Sequence, residues 1–134
     1  MENCIFCKIA KGDISAYKVY EDENTLAFLD ISPIAHYHTV VIPKAHYVNV
    51  LDIPNEALLQ VMSAAKQVVN LYRDKLGLKN LQIIHNAGPE GGQEVFHLHV
   101  HIVPRSAGDG IQMSWKTHPE WQDKFNDMMK KLEA

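Results

Sequence analysis

Residues 96–105 read FHLHVHIVPR, with His97, His99 and His101 at alternate positions and Leu98, Val100 and Ile102 between them. In an extended chain successive side chains point to opposite faces, so the three imidazoles share one face and the three aliphatic residues share the other. At a rise of ~3.3 Å per residue, neighbouring histidines stand ~6.6 Å apart and the outer two ~13 Å apart. One ion or one phosphate cannot take all three. The spacing favours division of labour, with two adjacent rings converging on one centre and the third serving another. Thr, Lys or Glu would serve an exposed strand face equally well, so three histidines in register point to chemistry near neutral pH. Two chemistries fit. A His-x-His strand can give nitrogens to a tetrahedral ion, with further ligands from elsewhere. Alternatively, a neutral imidazole attacks phosphorus while a neighbour fixes its tautomer and stabilises the developing charge.

The flanking sequence favours phosphate. NAGPEGGQEV, residues 86–95, places Gly88, Gly91 and Gly92 where backbone N–H groups could turn toward an anion, and Asn86 and Gln93 add side-chain amides. A catalytic metal would want a carboxylate or another histidine in support of its ligands, and local sequence offers none. Cys4 and Cys7 form C-x-x-C at the start of the chain. In a reducing compartment that pair is a redox couple, half of a metal site or a coincidence, and no strand precedes it as a thioredoxin-like unit would need.

The elements that must position these residues follow from hydropathy. The chain has 134 residues, 46% of them hydrophobic, and a formal net charge of −3, which suits one domain over residues 1–134. The near balance of charge argues against a nucleic acid polymer as partner. No stretch reaches the ~20 apolar residues of a membrane span, and the first residues carry no basic leader, so a cytoplasmic location is expected. Runs at residues 16–22 and 24–30 read as a hairpin broken near Asp22 to Asn24, and residues 39–43 as a strand stopped by Pro43. From Asn55 to Leu76, Leu58, Val61, Met62, Ala65, Val68, Val69, Tyr72 and Leu76 fall on one helical face, with Gly77 as the stop. Residues 81–86 and 95–103 resume strand character. After Pro119, Trp121, Phe125, Met128, Met129 and Leu132 make a second helical stripe. The predicted class is α+β: a five-stranded, mainly antiparallel sheet with the long helix on one face and a C-terminal helix.

HLHVHIV, residues 97–103, resembles the signature of the histidine triad (HIT) family. CIFCKIAKGDISAYKVYEDENTLAFLDISPIAHYHTVVIPKAHY and NAGPEGGQEVFHLHVHIVPR extend the likeness over about residues 3–105, and it is nearest to the bacterial, zinc-containing members of the Hint type. The resemblance implies a HIT-like fold with a C-terminal extension from about residue 106. It implies a homodimer in which the long helix, the last paired strand and the region of Trp115 meet a partner. It also implies a purine nucleoside phosphoramidase-like hydrolase or transferase. In that reading His99 attacks the α-phosphorus to form a nucleotidyl-histidine, His101 orients the phosphate, and His38 is a fourth histidine beside them. Asp30 receives the ribose hydroxyls, Phe6, Ile9, Phe28 and Ile31 surround the base, and Asn86, Gln93 and the backbone at Glu94 meet phosphate. Glu94 stands where some members carry Ser, and a carboxylate there would repel phosphate unless turned away. The likeness further implies a structural zinc ion on Cys4, Cys7, His46 and His97. From residues alone, His38 reads equally as a strand-end polar residue, and the cysteines as small buried hydrophobes. A dinucleoside polyphosphate hydrolase, a zinc hydrolase and a non-catalytic nucleotide-binding adaptor stay open beside the phosphoramidase.

Overall fold

The computed structural model describes residues 3–112 and 114–133. Its strands start and stop where side chains dictate. The hairpin joining β1 (Lys18–Glu21) to β2 (Thr25–Leu29) turns on Asp22, whose Oδ1 accepts from the N–H groups of Asn24 at 2.9 Å and Thr25 at 2.8 Å. Asp, Asn and Ser favour such turns because a short side chain can satisfy the backbone two or three residues on. β3 (Thr39–Pro43) is buried along its whole length and ends at Pro43, as expected. With β4 (Leu81–Ile84) and β5 (Val100–Pro104) these make one antiparallel sheet in the order β1-β2-β3-β5-β4.

Two helices cover the sheet from opposite sides. The long helix α2 (Asn55–Leu76) ends at Gly77 and lays Val61, Ala64, Ala65, Val68 and Tyr72 against Ala27, Val41, Leu98, Val100 and Ile102. Met62 and Leu76, expected on that face, are exposed, while Ala64 is buried in their place. The opposite face carries Leu26, Phe28, Val40 and Ile42 under Ile9 of a short helix, α1 (Ile5–Lys11). Sequence reading missed α1. Its signals were local: Cys4 Sγ accepts from the Cys7 N–H at 3.3 Å as an N-cap, Ile5, Phe6 and Ile9 sit at helical spacing, and Gly12 closes the last turn.

The histidine segment departs from expectation in one respect. The strand begins at Val100 and not at residue 95, and β4 stops at Ile84 and not at residue 86. The cause is the lack of neighbours: β3 pairs with β5 only over Val41↔Val100 to Thr39↔Ile102, and β4 reaches only as far as Ile84↔His101. Residues 95–99 therefore run beyond both ladders. The side-chain alternation persists nonetheless, because Leu98 donates its N–H to the Tyr47 carbonyl at 2.6 Å and buries its side chain completely under α2.

Beyond β5 the chain is fastened by Arg105, which donates to Asp109 at 2.7 Å, to Gln82 Oε1 at 2.6 Å and to the Ile111 carbonyl at 3.0 Å. The C-terminal stripe forms a 3₁₀ turn over Pro119–Lys124 and then α3 (Phe125–Leu132). Trp121, Phe125, Met128, Met129 and Leu132 are all exposed, so this apolar face adds nothing to the core of the chain.

Candidate active site and metal cluster

Two adjacent histidines, His99 and His101, face one cleft and His97 turns to the cysteines, a two-and-one division of the kind their spacing favours. His99 is buried, and its Nδ1–H donates to the carbonyl of His97 at 2.7 Å. That bond places the proton on Nδ1 and leaves Nε2 with a free lone pair. Burial holds the ring's pKa below the ordinary histidine value, so at neutral pH the ring is uncharged. Phe6 of α1 packs edge-on against His99, ring centroids 5.2 Å apart.

A second tautomer can be read from the backbone. The Ile34 N–H donates to His38 Nδ1 at 3.2 Å, so that nitrogen carries no proton and Nε2 does. His38 Nε2–H in turn donates to His101 Nδ1 at 2.8 Å, which assigns the His101 proton to Nε2. Burial, aided by the neighbouring His99 and His38, pushes His101 down to about 4, and burial also lowers His38. Asp30 lies beside the pair, its Oδ2 3.5 Å from His38 Nε2 and 3.9 Å from His101 Nδ1. His38 is therefore bonded to His101 and lines the same cleft, more than a strand-end polar residue would need. Asp30, His38 and His101 also cluster closely enough to suggest an ion site. Two imidazole nitrogens on one tetrahedral ion need a separation of ~3.3 Å, however, and these are hydrogen-bonded at 2.8 Å. The direct bond favours a proton between the rings over a cation.

His99 and His101 open onto a cleft of about 470 Å³ lined in part by Phe6, Asp30, Ile31, Asn86, Gly92 and Glu94. A ligand of nucleotide size suits that volume. Ile9 and Phe28, expected around a base, lie behind the lining in the core, with Phe28 supporting Phe6 edge-on at 5.5 Å. Gln93 is also withdrawn. Its Oε1 accepts from the Gly88 N–H at 2.8 Å and Asn49 Nδ2 at 3.1 Å, while its Nε2 donates to the carbonyls of Val48 at 2.6 Å and Val95 at 3.1 Å. The expected anion cradle shifts as well. The N–H groups of Gly91, Gly92 and Gln93 donate back to Gly88 or Pro89 within the loop, and that of Gly88 to Gln93. Among the described residues, no protein acceptor takes the N–H of Glu94 or Val95. Gly92 has φ +92°, a left-handed conformation that glycine permits in this turn.

The remaining histidine faces the cysteines. His97 Nε2–H donates to the Pro43 carbonyl at 2.8 Å, which turns a bare Nδ1 toward Cys4 Sγ at 3.3 Å, Cys7 Sγ at 3.5 Å and His46 Nδ1 at 3.2 Å. Cys7 Sγ lies 3.3 Å from His46 Nδ1. A tetrahedral ion with bonds of ~2.3 Å to sulfur and ~2.05 Å to nitrogen requires S···N edges of ~3.6 Å and an N···N edge of ~3.3 Å. The four donor atoms approach those separations, so the cluster Cys4, Cys7, His46 and His97 could hold a metal ion. The two cysteines are free, and burial raises the Cys7 thiol. Binding a cation reverses that cost by favouring the thiolate.

Sequence reading also passed over His85, whose Nδ1–H donates to the His99 carbonyl at 3.0 Å. No local signal marks it, because its partners lie 14 and 35 residues away.

Fold and site together define a small antiparallel α+β protein with a histidine-lined cleft beside a Cys/His cluster. The chain belongs to the HIT domain family, whose profile matches residues 11–108. It is 48% identical over 120 residues to the Bacillus subtilis protein named "Protein hit", covering 89% of this chain and 83% of that one. A crystal structure of a HIT family member from Bacillus subtilis superposes with a TM-score of 0.85 at 44% identity, covering 98% of each chain. The Saccharomyces cerevisiae adenosine 5'-monophosphoramidase HNT1 is 36% identical over 132 residues, 98% of this chain and 81% of that protein. Among the described residues no helix is long and apolar enough to cross a membrane.

Proposed function

We propose that this protein is a nucleotide-binding hydrolase or transferase of the purine nucleoside phosphoramidase type, working through a covalent nucleotidyl-histidine. The observation that carries the reading is the 2.7 Å bond from His99 Nδ1–H to the His97 carbonyl, because it frees Nε2 for attack. The Nε2 lone pair forms an N–P bond to the α-phosphorus, and the P–N bond to the leaving amine breaks with its electron pair going to the amine, which takes a proton from solvent. Water then attacks phosphorus, the histidine recovers its lone pair, and a nucleoside monophosphate departs. His101 Nε2–H supplies a donor to the phosphate, held in that tautomer by His38. Asn86 and the N–H groups of Glu94 and Val95 bind the remaining oxygens, while the Glu94 carboxylate turns to solvent. Asp30 anchors ribose, and Phe6 and Ile31 flank the base. Gln93, Ile9 and Phe28 act as supports behind these contacts.

The Cys4, Cys7, His46 and His97 cluster suits Zn²⁺ in a closed site. Two thiolates and two neutral imidazoles fill a tetrahedral shell and balance its charge, so the ion would tie α1 to the ends of the sheet and supply no activated water. We further read residues 1–134 as one domain, with 106–134 as an extension, located in the cytoplasm. It forms a homodimer through α2, which exposes Leu59, Met62 and Leu71, and through the sheet edge β4 with Ile83 exposed, rather than through the last strand β5, which β3 and β4 flank on both sides. No nucleic acid polymer is among its partners.

The test is rapid-quench mass spectrometry with an adenosine phosphoramidate, run on wild type and His99→Ala. A nucleotide mass on the peptide of residues 95–105 in wild type, and no turnover in the variant, supports the mechanism. Full activity of His99→Ala refutes it. AMP binding without turnover in wild type means an adaptor, and faster cleavage of a dinucleoside polyphosphate means the other hydrolase.

A further inference from the structure

His85 stands outside the cleft yet touches the backbone of the residue at its centre. β4 ends at Ile84, so the carbonyl of His99 has no strand partner on that side. The His85 ring takes the place of the missing partner: its Nδ1–H donates to the His99 carbonyl at 3.0 Å. The other nitrogen is committed, because the Val50 N–H donates to His85 Nε2 at 3.1 Å. A backbone N–H can only donate, so Nε2 must be bare and the proton must lie on Nδ1. The ring is thus a one-way link from the turn at residues 47–53 to the peptide that follows His99.

That turn is itself firmly built. Asp52 accepts from the N–H groups of Val48 at 3.0 Å and Asn49 at 2.8 Å, and Asn49 Oδ1 accepts from Leu51 at 2.9 Å. The same turn holds Gln93 through Asn49 and Val48. One rigid turn therefore grips the phosphate-side loop and the catalytic segment at once.

We infer that His85 is a positioning residue for the proposed nucleophile, setting the direction of the His99 side chain by fixing the carbonyl of its own peptide to the 47–53 turn. The inference rests on the reading of His99 as nucleophile for its kinetic consequence, but the link itself is geometric. Small misplacements of a reacting atom are costly in rate, and outer supports of catalytic groups are typically worth about 10- to 100-fold.

Asn and Gln separate the two ends of the ring. An Asn amide reaches the place of imidazole Nδ1 and can donate to the His99 carbonyl. A Gln amide reaches the place of Nε2 and can accept from Val50. Full-length wild type, His85→Asn and His85→Gln are compared for kcat and KM with an adenosine phosphoramidate, for melting temperature, and for histidine-ring ¹⁵N NMR. The expected result is that His85→Gln lowers kcat about 10-fold or more at nearly unchanged KM, while His85→Asn restores kcat to within about threefold of wild type. The His99 ring signals, which require no turnover, should keep the Nδ1–H tautomer pattern in His85→Asn and shift or broaden in His85→Gln. Equal kcat in the two variants, loss that follows melting temperature alone, or His99 signals unmoved in both overturns the inference. A wild type without turnover defeats the enzymatic reading instead, and the NMR comparison still decides the link.

Discussion

Gln93 offers the sharpest division between binding a ligand and holding a loop. It is 4% exposed and makes four hydrogen bonds, two accepted at Oε1 and two donated from Nε2. Replacing it by Leu removes all four at similar volume. At about 1 kcal/mol per bond, with the Asn49 amide and the Val48 carbonyl left short of partners, the loss comes to about 3–4 kcal/mol. For a chain of this size that is a fall in melting temperature of about 10–15 °C. Glu is the more telling replacement. Its carboxylate still accepts from Gly88 and Asn49, but it faces the carbonyls of Val48 and Val95 where Nε2 donated at 2.6 and 3.1 Å. Gln93→Glu should therefore be at least as unstable as Gln93→Leu at pH 7 and recover toward wild type on acidification, since a protonated carboxyl donates again. Urea titrations at pH 5 and 7 measure this, with phosphoramidate turnover followed in parallel. If both variants keep their melting temperature within about 2 °C and lose activity through KM alone, the side chain meets the ligand and the argument from its bonds is wrong.

The remaining predictions concern the metal cluster, pH and the covered side of the histidine segment. Purified protein should contain one zinc per chain, and Cys4→Ala should lose both the ion and about 2–4 kcal/mol, read by elemental analysis and thermal melts. His101 is held near 4 when folded and returns toward 6.5 when unfolded, so the unfolded chain binds the extra proton between those values. Its contribution is complete above about pH 6.5 and is lost as pH falls toward 4, about 3–3.5 kcal/mol in all; His101→Asn should flatten that part of the stability profile. Leu98→Ala, at a fully buried position under α2, should cost about 3 kcal/mol by denaturant titration.

What could be read in advance was whatever depended on period or on punctuation. The stop at Gly77, the hairpin at Asp22 and the end of β3 at Pro43 each rest on local rules and lie where expected, and the α2 face does so except at Met62 and Leu76, whose place Ala64 takes. Strand geometry gave a division between two adjacent rings and a third, and only the family resemblance singled out His97 as the third; the ladder itself begins only at Val100. Local chemistry fails where an amide or ring has two equally good uses. Gln93 reads as a phosphate contact or a scaffold, and only its distant partners Val48 and Asn49 decide between them. Ile9 and Phe28 likewise differ from Phe6 and Ile31 by depth and not by type. His85 carries no periodic or motif signal at all. α1 escaped because seven residues give too little period to stand out.

Residue 97 joins two chemistries in one amino acid. Its ring is turned to the sulfur atoms, while its carbonyl accepts the hydrogen bond of the ring two positions on. No separate rod or spring is needed to connect the two: a displaced ring drags its own main chain with it. Oxidising the thiols or stripping an ion from them would therefore be felt across a single peptide, where it would disturb which nitrogen of residue 99 is bare.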